Sequence, residues 1–65
     1  MVETMNQKES VTLGISNEGE REFSVEVIKN WLPEKVSYFG NVVYFKFKDK
    51  FYSIKSEDFK EIFEN

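Results

Sequence analysis

The 65-residue chain has no cysteine and no histidine. Without cysteine there are no disulfides, no thiolate chemistry and no thiolate metal site. Without histidine the commonest general base and the commonest metal ligand are both missing. No apolar run approaches the roughly 20 residues that span a bilayer, and the start, MVETMNQKES, has neither the basic segment nor the apolar stretch of a signal peptide. These features predict a soluble, cytoplasmic protein with no membrane partner. The length allows one domain. A chain this short buries only roughly 60% of the surface it exposes when unfolded, so its core supplies about 3–5 kcal/mol of net stability.

What is abundant is aromatic: seven Phe, three Tyr and one Trp. Such rings bury a large area each at modest entropic cost, which suits a small core without staples. Charge is unevenly divided. Residues 1 to 26 hold six acids and two bases, 27 to 55 two acids and six bases, and 56 to 65 four acids and one base, giving −4, +4 and −3. A basic middle between acidic ends can steer an acidic partner to one surface.

The local structure is plainest in VVYFKFKDKFYSIK, residues 42 to 55. Read with the two-residue period of a strand, Val43, Phe45 and Phe47 share one side and Val42, Tyr44, Lys46 and Lys48 the other. A turn at Asp49-Lys50 would pair Phe47 with Tyr52 and Phe45 with Ile54, leaving Val43, Phe45, Phe47, Tyr52 and Ile54 on the core face. Asp-Lys is a poor pair for positive φ, so a longer loop would move this register, and a slip of one residue would exchange the faces. Gly40-Asn41 suits a two-residue turn, which pairs Phe39 with Val42, Tyr38 with Val43 and Val36 with Phe45. The result is a meander over 36–39, 42–48 and 51–55.

Residues 1 to 9 show no periodicity and are expected to form a flexible tail ahead of a single domain over 10 to 65. From Ser10 to Ser16, Val11, Leu13 and Ile15 alternate with Thr12, Gly14 and Ser16, a half-buried strand. A turn at Asn17 to Glu20 leads to a second alternation over 22 to 27. Phe23, Val27, Ile28, Trp31 and Leu32 also recur at helical spacing. Because Phe23-Ser24-Val25 resembles Tyr52-Ser53-Ile54, and an amphipathic run follows each, a short helix is expected from Glu26 to Leu32, stopped by Pro33. A second helix follows Ser56 as cap, with Glu57 and Asp58 at its positive end and Phe59, Ile62 and Phe63 on one face. Two hairpin-then-helix units, 10 to 32 and 42 to 64, would form a pseudo-repeat.

The expected fold is α+β: a twisted, mainly antiparallel sheet of four or five strands packed on one or two short helices. If 25 to 32 is strand instead, a five-stranded open barrel of SH3 or OB type with a terminal helix results. The expected core is Val11, Leu13, Ile15, Phe23, Val25, Ile28, Trp31, Val43, Phe45, Phe47, Tyr52, Ile54, Phe59, Ile62 and Phe63.

Nothing in the chain assembles a catalytic constellation, and no cofactor or metal site is expected. Glu57 and Glu61 share a helix face but have no third group. Glu18, Glu20 and Glu22 lack the ligand spacing of a calcium loop. Gly14 and Gly19 lack that of a phosphate loop. The feature that stands out is the outer sheet face, where Phe39, Val42, Tyr44 and Phe51 lie among Lys46, Lys48 and Lys55. Contiguous apolar groups on a surface often mark an interface. Either the N-terminal hairpin or tail folds over this face, or it is open.

An open face fits a non-catalytic interaction module that meets an acidic protein partner, or its own copy as a homodimer. The alternative is single-stranded nucleic acid, with Tyr44, Phe51 and Phe39 stacking on bases and Lys46, Lys48, Lys50 and Lys55 tracking phosphates. The net charge of −3 and the acidic flanks favour the protein. Small size and lack of catalytic equipment suggest an accessory or inhibitory protein, such as those of phages and mobile elements.

Overall fold

The local alternations become strands because each hides one apolar edge. A computed structural model, which describes residues 9 to 64, shows β1 (Ser10–Ile15), β2 (Gly19–Ser24), α1 (Val25–Ile28), β3 (Glu34–Phe39), β4 (Val42–Phe47), β5 (Lys50–Lys55) and α2 (Ser56–Phe63). The strands form one antiparallel sheet in the order β2-β1-β5-β4-β3. It is open, with β2 and β3 as its edges, and not a barrel. Residues 1 to 8 of the expected tail lie outside the described residues. Glu9 accepts a bond from the Val25 amide at 2.9 Å, which ties the start of β1 to the start of α1.

Both helices cover the same face of the sheet. All fifteen residues expected in the core are there: nine are buried, and Phe23, Val25, Trp31, Phe47, Ile62 and Phe63 pack half-buried against them. Trp31 stacks on Phe47 at 4.3 Å and meets Phe23, Tyr52 and Phe45. Phe59 and Phe63 of α2 close over Phe45 from the other side. The aromatic content is thus mostly core.

Four local expectations are corrected. The β4–β5 turn is Lys48-Asp49, not Asp49-Lys50, with both residues at positive φ (50° and 67°). Phe45 therefore faces Tyr52, Tyr44 faces Ser53 and Lys46 faces Phe51. The two-residue shift preserves every residue's face within β4 and β5, because side chains alternate with a period of two. Asp tolerates the left-handed conformation, and placing it second leaves Lys50 in the strand, where its ammonium reaches Glu18.

In β3 the register with β4 shifts between Glu34 and Ser37, at Lys35, whose φ is 52°. The expected Phe39–Val42 and Tyr38–Val43 pairs form, and the Val36–Phe45 pair does not.

The first helix starts one residue early and ends at Ile28 rather than Leu32. Ser24 caps it by accepting the Glu26 amide at 3.2 Å. Beyond Ile28 the chain turns, with the Trp31 amide bonded to the Ile28 carbonyl at 2.9 Å. Pro33 disfavours helical backbone at Leu32, and the turn swings the Trp31 ring onto the sheet. In α2, Lys55 and not Ser56 is the cap, without a side-chain bond. The Ser56 amide instead donates to the Asn41 carbonyl at 2.7 Å, so the β3–β4 turn anchors the helix start.

The two hairpin-helix units are both present. They are not related by a twofold axis, since β1, the first strand of one, pairs with β5, the second strand of the other. That junction is narrow: Gly14 pairs with Ser53 and Ile15 with Tyr52. A Cβ at Gly14 would sit 2.5 Å from the Ser53 hydroxyl. Gly14→Ala forces the Ser53 hydroxyl out of its place and is accordingly expected to lower stability, read from the urea midpoint, by about 0.5–1 kcal/mol. Adding Ser53→Ala removes the clash and should return stability to wild type or about 0.5–1 kcal/mol above it, because glycine is itself unfavourable inside a strand. Equal effects of Gly14→Ala with and without Ser53→Ala would rule out the contact as the cause.

Candidate functional site

The N-terminal hairpin extends the sheet edge through β1 and β5 instead of folding over it. With both helices on the core side, no described element packs on the opposite, outer face. The alternation of each strand decides what stands there. From β4 come Val42, Tyr44 and Lys46, from β5 Phe51, Ser53 and Lys55, and from β3 Ser37 and Phe39. Phe39 is 64% exposed, Phe51 52% and Tyr44 47%.

Six of the seven expected partner-binding residues stand on this face. Phe39 pairs with Val42 and its ring meets Tyr44 edge-on at 5.4 Å. Lys46 stands across from Phe51, and Lys55 across from Val42. The structure thus brings Phe39, Val42, Tyr44, Lys46, Phe51 and Lys55 together as one patch. Lys48 is not part of it. It occupies the β4–β5 turn with its ammonium 5.6 Å from the Phe47 ring, on the core-face side of the strand. Lys50, named as a possible phosphate contact, alternates with Tyr52 and Ile54 on the core side and is taken up by Glu18. That ammonium, donating to Glu18 and adding its charge, holds the Glu18 carboxyl below the usual carboxylate range.

Strand pairing adds further groups to the face. Glu20 and Glu22 of β2 lie on this side, and the Ser10 hydroxyl donates to Glu22 at 2.7 Å. Between this acidic edge and the aromatic patch runs a low strip on β1, Ser10, Thr12 and Gly14, continued by Ser53. Strict alternation from Phe23 already implied the side taken by Glu22 and Glu20. Nothing local implied that β1 would lie beside β5.

On the core side Tyr38 packs edge-on against Phe59 at 5.9 Å and donates to Glu64, a bond that raises the Tyr38 phenol above its ordinary range. Asp58, in the first turn of α2 as expected, is buried. An open depression of about 400 Å³ lies between the α1–β3 connection and the β4–β5 turn, and is lined by Leu32, Phe47, Lys46, Lys48, Glu34 and Asp49 among others. Its lining carries two lysines and two acids, so it favours neither sign of ligand. Among the described residues no three metal-ligating side chains converge, and no helix is long and apolar enough to cross a membrane. The chain matches no protein-family model, no curated protein and no solved structure.

Proposed function

We propose that this is a non-catalytic protein-interaction module, of accessory or inhibitory kind, which works in the cytoplasm and binds a protein partner through the outer face of its sheet. The observation that carries the reading is the patch of exposed Phe39, Tyr44 and Phe51 around half-buried Val42, flanked by Lys46 and Lys55, on a face that no described element covers. Aromatic groups supply desolvated contact area, and lysines at the rim select carboxylates and speed encounter. The nucleic-acid alternative is weakened because Lys48 and Lys50 leave the face, so the phosphate-tracking row of four lysines is reduced to two. Tight binding of single strands needs a continuous basic groove.

The test is photo-crosslinking in the native cell, with a benzophenone side chain in place of Phe51, and Val27, exposed on α1, as control. A discrete protein adduct from position 51 and none from 27 is expected. A nuclease-sensitive adduct, or equal labelling from both positions, would refute the reading.

A further inference from the structure

We propose that the partner on the outer face is a second copy of this chain, related by a twofold axis that runs parallel to the strands and passes over the Gly14–Ser53 pair. The proposal rests on the outer face being the interaction surface, and adds who occupies it.

The face is divided into two unlike halves. On one side stand the carboxylates of Glu20 and Glu22, beside the low strip of Thr12 and Gly14. On the other stand tall aromatic and basic groups, chiefly Tyr44, Lys46, Phe51 and Lys55. The boundary is the β1–β5 junction, where Gly14 has no side chain and Ser53 a small one. One row across the sheet runs Glu20, Gly14, Ser53, Tyr44, Ser37.

Turning a second copy about an axis along that boundary lays its β2 over β4 and its β1 over β5. Residues of the same row then meet. Glu20 of the second copy comes over Tyr44, with Lys46 two residues along the same strand, and Glu22 of the second copy comes over Val42, beside Lys55. Each tall half seats on the other copy's low half, and Lys46 and Lys55 face the carboxylates of Glu20 and Glu22, with Lys46 also standing across from Glu34 of its own β3. The small residues on the axis let two sheets approach to the roughly 10 Å of ordinary face-to-face packing. A twofold axis perpendicular to the strands would lay β2 on β2, acid on acid, and gains neither match. Such self-complementarity is what a twofold contact requires of a single surface.

Four of the five strands overlap in this arrangement. At ordinary strand spacing and rise they cover roughly 19 by 20 Å per copy, about half the roughly 800 Å² per partner of a standard interface and in the range of weak, transient contacts. The dimer is therefore weak, with a dissociation constant between about 1 μM and 1 mM.

Sedimentation equilibrium of the full chain up to about 1 mM tests this. Wild type is expected to dimerise. Glu20→Lys and Lys46→Glu, both on accessible side chains, each set like charges together twice in the symmetric contact and should weaken association by about tenfold or more. An equimolar mixture of the two variants pairs opposite charges at both sites and should recover the dimer, which also shows that both variants are folded. A monomeric wild type, unchanged association of either variant, or a mixture that fails to recover would overturn the proposal. A monomeric wild type that still gives a discrete adduct to another protein from position 51 would overturn self-association alone and leave the interaction face standing.

Discussion

Phe45→Ala is expected to unfold the domain. Phe45 has no exposed surface, stacks on Tyr52 with ring centres 5.5 Å apart, and touches Trp31, Phe59 and Phe63 at 6.0 to 6.4 Å. Truncating a buried Phe costs about 3–5 kcal/mol, through lost transfer energy and the cavity left behind. A core of this size supplies about the same in total, so the variant should show a largely unfolded circular dichroism spectrum at 25 °C. Phe63, only half-buried, should cost less on the same change. Tyr44→Ala, on the opposite face, should leave the protein folded. A stable Phe45→Ala together with a collapsed Tyr44→Ala would mean that the two faces of β4 are reversed.

Trp31→Ala is the second large effect. Its ring lies nearly parallel to Phe47, 11° between planes, and edge-on to Phe23 at 5.6 Å. Those two rings belong to β2 and β4, strands that do not touch each other in the sheet. The indole therefore clamps the two halves of the sheet from the helix side. Because it keeps some exposure, the expected loss is about 3 kcal/mol, the low end of the range for such truncations. It is read from the urea midpoint by circular dichroism, since the only tryptophan is removed. Trp31→Phe should recover much of the loss. A midpoint unmoved by Trp31→Ala would show that the clamp does not bear on stability.

The outer patch was legible for the same reason as the core. Alternation assigns each residue of β4 and β5 to a side, and the two-residue error in the β4–β5 turn left those sides intact. Lys48 and Lys50 were misplaced because that same error moved one of them into the turn and the other into the strand. Alternation from Phe23 puts Glu22 and Glu20 on the side away from the core, but only the pairing of β1 with β5 brings that side into one face with the aromatic patch.

By itself the amino-acid order determined the alternating strand segments, the C-terminal helix, the face on which each side chain of β4 and β5 lies and the membership of the core, while leaving 25 to 32 open between helix and strand. These follow from periodicity, a property of neighbours two to four residues apart. The tertiary structure alone decided that β1 lies beside β5, that the N-terminal hairpin leaves the outer face uncovered, where α1 stops, and that Asn41 rather than a side chain satisfies the first amide of α2. Each of these depends on contacts between residues distant in sequence or on how a large ring is accommodated, and a local pattern carries no record of either.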